Sequence, residues 1–167
     1  MRASLVPMLI LVLALSACKG RQQHEVTETD SIPEMFPDYS GVTIPPNIAP
    51  LNFRITGGAD KVVTTISGKN GSLKIVSDDN RVITPSRGWS RLLTDNIGES
   101  LVFELTVLAD GRRTSFSPFR VRIAEEPVDR YLVYRNLMPG FQNWNRMGIY
   151  QRDLSSFDVE TVIDSRL

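Results

Sequence analysis

From Leu51 onward, apolar and polar residues alternate in short runs broken by turn-forming residues. A period of two places successive side chains on opposite faces of a strand. On that pattern "LNFRI" (51–55), "KVVTTIS" (61–67), "LKIV" (73–76), "RVIT" (81–84), "LVFELTVL" (101–108) and "FRVRI" (119–123) read as strands. Leu101, Phe103, Leu105 and Val107 share one face of the longest run. In the last, Phe119, Val121 and Ile123 point inward, and Arg120 and Arg122 outward. Gly57-Gly58, Asn70-Gly71 and Asp110-Gly111 supply turns, and Asn-Gly is the strongest short hairpin signal. Asp78-Asp79-Asn80 reads as a further hairpin turn. Only "SRGWSRLLTDN" (86–96) suits a short helix, with Trp89, Leu92 and Leu93 facing in. Short strands at this spacing predict an all-β fold, an immunoglobulin-like β-sandwich over residues 41–125, without the Cys…Trp…Cys spacing of antibody domains.

Before the alternation begins the pattern is different. Met1-Arg2 is a minimal basic region, and "LVPMLILVLAL" (5–15) is apolar but too short to span a bilayer comfortably. Its length and flanks are those of a signal peptide, here residues 1–17. Ser16 and Ala17 precede Cys18, the only cysteine, and the site resembles a bacterial lipobox. A lone exported thiol cannot make an internal disulfide, so lipidation of Cys18 is expected, and with it a membrane as partner. Several acyl chains anchor stably where one binds only marginally. Lys19, where an Asp would resemble an inner-membrane retention signal, points to the outer membrane. Residues 18–40 are expected to be a flexible, Pro-rich tether, because "KGRQQHEVTETDS" lacks hydrophobic periodicity. "DSI" (30–32) matches a three-residue bacterial O-glycosylation signal, but matches so short arise by chance. Pro33, Pro37, Pro45, Pro46 and Pro50 exclude a helix and favour extended chain.

Composition narrows the chemistry. The 167 residues carry 19 basic and 19 acidic side chains, with a pI near 6.6. No basic footprint for nucleic acid exists. His24, the only histidine, falls in the tether, so neither a Ser-His-Asp nor a Cys-His triad can be assembled around it. No histidine or cysteine is left for a zinc site, and Asp78-Asp79-Asn80 lacks the calcium-loop spacing. Glu125-Glu126 are neighbours in extended chain and point to opposite faces, a poor pair for hydrolysis. The expectation is no catalysis and no cofactor.

Residues 126–167 carry a second β pattern: "YLVY" (131–134), a Pro-Gly turn in "MPGF" (138–141), "MGIYQRDL" (147–154), a turn at "SSFD", and "VETVID" (159–164). Trp144, Arg146, Tyr150 and Arg152 could stack on a sugar or clamp an anion. Alternatively Phe141, Trp144, Met147 and Tyr150 are core residues of a larger propeller. The stretch "YLVYRNLMPGFQNWNRMGIYQRDLSSF" (131–157) resembles the Gram-negative lipoproteins related to TolB-type β-propellers, often labelled cytochrome c biosynthesis proteins. The resemblance is weaker in the sandwich, beginning near "YSGVTIPPNIAPLNFRI". It implies that 126–167 opens a β-propeller. In that family a C-x-x-C-H signature and propeller blades follow; neither is present here, so no haem-binding residue carries over. A truncated product or split gene is one expectation, a naturally short member the other. Two functions follow: an envelope lipoprotein whose sandwich binds a protein or glycan partner, or a fragment of a haem-associated, cytochrome c biogenesis-type protein.

Overall fold

The computed structural model describes residues 26–137 and 147–164. It is nearly all β, with one short helix, and sandwich-like in its main body. The strands are β1 (Val26–Glu28), β2 (Met35–Phe36), β3 (Thr43–Ile44), β4 (Phe53–Ile55), β5 (Lys61–Ser67), β6 (Ser72–Ser77) and β7 (Arg81–Val82). Helix α1 (Ser86–Thr94) follows, then β8 (Ser100–Ala109), β9 (Arg112–Ser115) and β10 (Phe119–Ile123). The tail holds β11 (Tyr131–Asn136), β12 (Gly148–Asp153) and β13 (Val159–Asp164).

A seven-stranded sheet is organised around β8. One edge of β8 takes β5, and β6 pairs outside β5. The other edge is shared: β10 pairs with residues 100–103 and β9 with 106–109. Parallel strands extend it, β1 beside β9 and β3 beside β10. The alternation explains the inner face: Val62, Thr64, Ile66, Leu101, Phe103, Leu105, Val107, Phe119, Val121 and Ile123 are all buried. Phe103 and Phe119, directly opposite in the register, stack with ring centroids 4.9 Å apart. A small sheet, β2-β4-β7, adds Met35, Phe53, Ile55 and Val82 to the same core, and α1 adds Trp89, Leu92 and Leu93.

Three features differ from the sequence expectation. Asp78–Asn80 is a corner between sheets, not a hairpin: β7 leaves β6 and pairs with β4. Asn80 fixes that corner, accepting from the Ile55 amide at 2.8 Å while its side chain donates to the Ile55 carbonyl at 3.1 Å. Strand β9 was not anticipated, because "RRTS" is polar and half exposed; it pairs as the return arm of the β8 hairpin. Asp110 (φ 50°) and Gly111 (φ 72°) form that tip with two positive φ values, the geometry of a tight hairpin turn. The flexible tether expected over 18–40 does not extend through it: β1 and β2 pair within the two sheets and Met35 is buried. The expected signal peptide (1–17), Cys18 and His24 lie outside the described residues.

The body has two ends. The near end holds Gly57-Gly58, Asp78–Asn80 and the β8–β9 tip. The far end holds the Asn70-Gly71 turn, the end of α1 and Ile123. Asn96 ties this far end together: its side-chain amide donates to the Asn70 carbonyl (2.9 Å) and Leu92 carbonyl (2.8 Å), and its oxygen accepts from the Asn70 amide (2.8 Å). The tail sheet β11-β12-β13 is attached at that far end.

Candidate interaction surface

The tail is a three-stranded antiparallel sheet whose strands coincide with the alternating runs of the sequence. Residues directly opposite in such a ladder share a face. One face carries Leu132, Tyr134, Tyr150, Arg152, Val159 and Thr161. The other carries Tyr131, Val133, Arg135, Ile149, Gln151, Asp153, Glu160 and Ile163. Leu132 (50% exposed), Tyr134 (39%) and Val159 (46%) lie open on the first face, and Val133 (57%) and Ile163 (59%) on the second. An ordinary half-solvated antiparallel sheet is apolar on one side only. This one exposes apolar side chains on both, among polar neighbours, and β11 and β13 are its edges.

One corner is built with charge. The Asp153 carboxylate is buried and receives the Arg130 guanidinium through Nε (2.9 Å) and Nη2 (2.8 Å). Its other oxygen accepts from the Ser155 hydroxyl (2.6 Å) and amide (2.8 Å). The Ser155 hydroxyl and the Arg130 guanidinium hold the Asp153 carboxyl at about 2, well below the ordinary 3.8. The corner meets the body through three hydrogen bonds. The Ala49 amide donates to the Leu154 carbonyl at 2.7 Å, and Asn47 exchanges side-chain bonds with the Val128 backbone at 2.8 and 3.1 Å. Trp89 holds the receiving loop, donating its indole N–H to the Ile48 carbonyl at 3.1 Å.

Of the four aromatic and basic residues expected to form a ligand or interface patch, Tyr150 and Arg152 fall on one face of β12. Tyr150 stacks on Tyr134, centroids 5.8 Å apart, and Arg152 lies over the Phe157 ring at 5.8 Å. Trp144 and Arg146 lie outside the described residues. Tyr134, Phe157 and Arg130 were not singled out from sequence. Their partners are fixed by cross-strand register, and the only local hint was their place in or beside β-branched and aromatic runs.

Elsewhere the surface is less organised. An outer groove of about 470 Å³ on the large sheet is lined by Glu28, Thr65, Glu104, Thr106 and Ser115. Among the described residues, no group of three or more His, Cys, Asp or Glu is placed to hold a metal ion. Ser31 of the "DSI" match is exposed, with its hydroxyl 2.9 Å from that of Thr29. No described helix is long and apolar enough to cross a membrane. No protein-family model matches the chain, and no curated protein matches it.

Proposed function

We propose that this chain is a lipid-anchored interaction module of the bacterial cell envelope, held to the outer membrane through Cys18 and engaging a β-sheet protein through β11–β13. The observation that carries the docking half is the tail sheet's exposure of apolar side chains on both faces. A sheet of that composition belongs between two other layers, as a propeller blade does, and an isolated exposed patch of this kind marks an interface. The resemblance of residues 131–157 to TolB-related lipoproteins supports a propeller-type blade of another protein as the partner layer. The anchor half is supported by the apolar run before the only cysteine. The sandwich serves as scaffold, and no catalysis is assigned to it.

The test has two parts. Radioactive palmitate should label the wild type and not Cys18→Ala; label on the variant overturns the anchor. A photo-crosslinking residue at Tyr134 or Val162 in cells should give an adduct identified by mass spectrometry as a β-rich envelope protein. An adduct with a second copy, or none at either position, overturns the docking half.

A second reading, glycan or anion capture, is favoured by Tyr150 and Arg152 sharing a face. Binding on a glycan array that disappears in Tyr150→Ala would support it, and a blank array would remove it.

A further inference from the structure

We infer that the β8–β9 tip faces the lipid headgroups and that the tail sheet is held at the opposite end, pointing away from the bilayer. This rests on the lipid anchor proposed for Cys18. It adds a direction that the anchor alone does not supply.

The direction comes from strand register. β1 runs parallel to β9, with Val26 opposite Arg113. Arg113 in turn pairs with Leu108, near the end of β8. The chain preceding Val26 therefore leaves the body at the near end, beside Asp110 and Gly111. β10 runs antiparallel to β8, with Arg122 opposite Ser100, so Ile123 and the segment leading to the tail lie at the other end. The contacts of Val128 and Leu154 with Asn47 and Ala49 hold the tail sheet there.

Length makes the polarity binding. Val26 is eight residues beyond Cys18, and a fully extended chain of that length spans about 27 Å. The rise from Leu108, level with Val26, to Ser100 at the far end is also about 27 Å. The tail strands, six residues each, form a sheet about 17 Å long that must also be housed at that end. With the far end against the bilayer, the tether would be drawn to its full extension before any room is left for the tail sheet attached there. With the tip against the bilayer the tether is slack. Charge contributes little to this choice, because the near end mixes signs. Arg112 and Arg113 are exposed there, beside Asp60, which accepts the Asp110 amide at 3.1 Å, and the Lys61–Asp78 pair at 3.3 Å. The partner of the tail sheet is therefore a protein that approaches from the aqueous side, not the membrane that holds the anchor.

Two single-cysteine variants of the full lipidated protein test this, since the acylated Cys18 leaves the introduced thiol as the only free one. Arg112→Cys and Val162→Cys are both at exposed positions. Each carries an environment-sensitive fluorophore and is reconstituted in phosphatidylethanolamine–phosphatidylglycerol vesicles containing a headgroup nitroxide lipid. Quenching should be several-fold stronger at position 112 than at 162. A long Gly-Ser insertion between Arg21 and Gln22 should erase most of that difference. Equal quenching, or stronger quenching at 162, overturns the orientation while leaving the anchor intact. A difference that survives the insertion also overturns it, since the tether would not be the cause. Mass spectrometry of the N-terminal peptide separates the two ideas: an unacylated Cys18 overturns both.

Discussion

Thr64 is fully buried on the inner face of β5, and its hydroxyl has no hydrogen-bond partner among the described residues. A buried unpaired hydroxyl costs free energy that a methyl of similar size does not. Thr64→Val should therefore stabilise the body by about 1–2 kcal/mol, measured as a raised urea midpoint at unchanged m. Trp89 works in the opposite sense. It is fully buried and also satisfies the Ile48 carbonyl. Trp89→Ala should cost about 3–5 kcal/mol, against a total of about 5–15 for a domain of this kind. Trp89→Phe should cost less, since only the hydrogen bond and part of the volume are lost; circular dichroism during denaturation ranks the two. Asp153 ties residue chemistry to pH. Its carboxyl is depressed to about 2 in the folded corner from 3.8. The stabilisation is thus fully present above the unfolded value and is lost as pH falls through the folded one. The protection factor of the Ser155 amide, its intrinsic exchange rate divided by the observed rate at each pH, should fall between about pH 4 and 2. Asp153→Asn should abolish that pH dependence, and a wild-type corner indifferent to pH in this window would refute the account.

At the scale of the element, the tail sheet depends on a close approach of two strands. A Cβ placed on Gly148 would lie 2.8 Å from the Ile163 carbonyl oxygen and 3.1 Å from the Tyr150 ring. That carbonyl belongs to the paired strand and cannot swing aside. Gly148→Ala should therefore weaken the β12–β13 ladder by about 1–3 kcal/mol, the usual cost of overpacking. Exchange should rise at Tyr150 and Ile163 and stay unchanged in β8. The neighbouring irregularity between Ile149 and Tyr150, where β13 contributes Val162 as an extra residue, places the disturbance at the sheet's bulge. The outcome separates local failure of the tail from collapse of the whole chain. The strand positions here were legible from sequence, since the β-branched and aromatic runs in "YLVY", "IYQRD" and "VETVID" are a local property. The aromatic pairing of Tyr134 with Tyr150 was not, because a one-residue slip would move either ring to the other face.

For the whole molecule, the continuous core ends at Ile123. Residues 125–130 are exposed, and no described residue of the tail belongs to that core. Limited proteolysis should cut between Glu125 and Arg130 and leave a resistant fragment ending near Ala124. Protection of the tail equal to that of β8 would show that the three hydrogen bonds at Asn47 and Ala49 couple the two parts more tightly than their small contact implies. The cut fragment should also lose any tendency to associate, because the exposed apolar residues of β11–β13 leave with the tail.

What the sequence determined by itself is whatever depends on neighbours along the chain. The inward faces of β5, β8 and β10, the helix around Trp89, and the three tail strands all follow from periodicity and turn chemistry. The all-β class follows from them. What only the tertiary structure decided is which strand meets which. β7 crosses to β4, and β9 appears from a polar run. β1 and β2 turn an apparent tether into sheet edges, and Arg130 finds Asp153. Each of these is a long-range pairing of short or polar segments, whose backbone hydrogen bonds carry the stabilisation and whose side chains leave almost no pattern to read. The opposition between the chain's entry and its tail sheet belongs to the same class: the direction of two parallel edge strands is set by the sheet they join and not by the residues they contain.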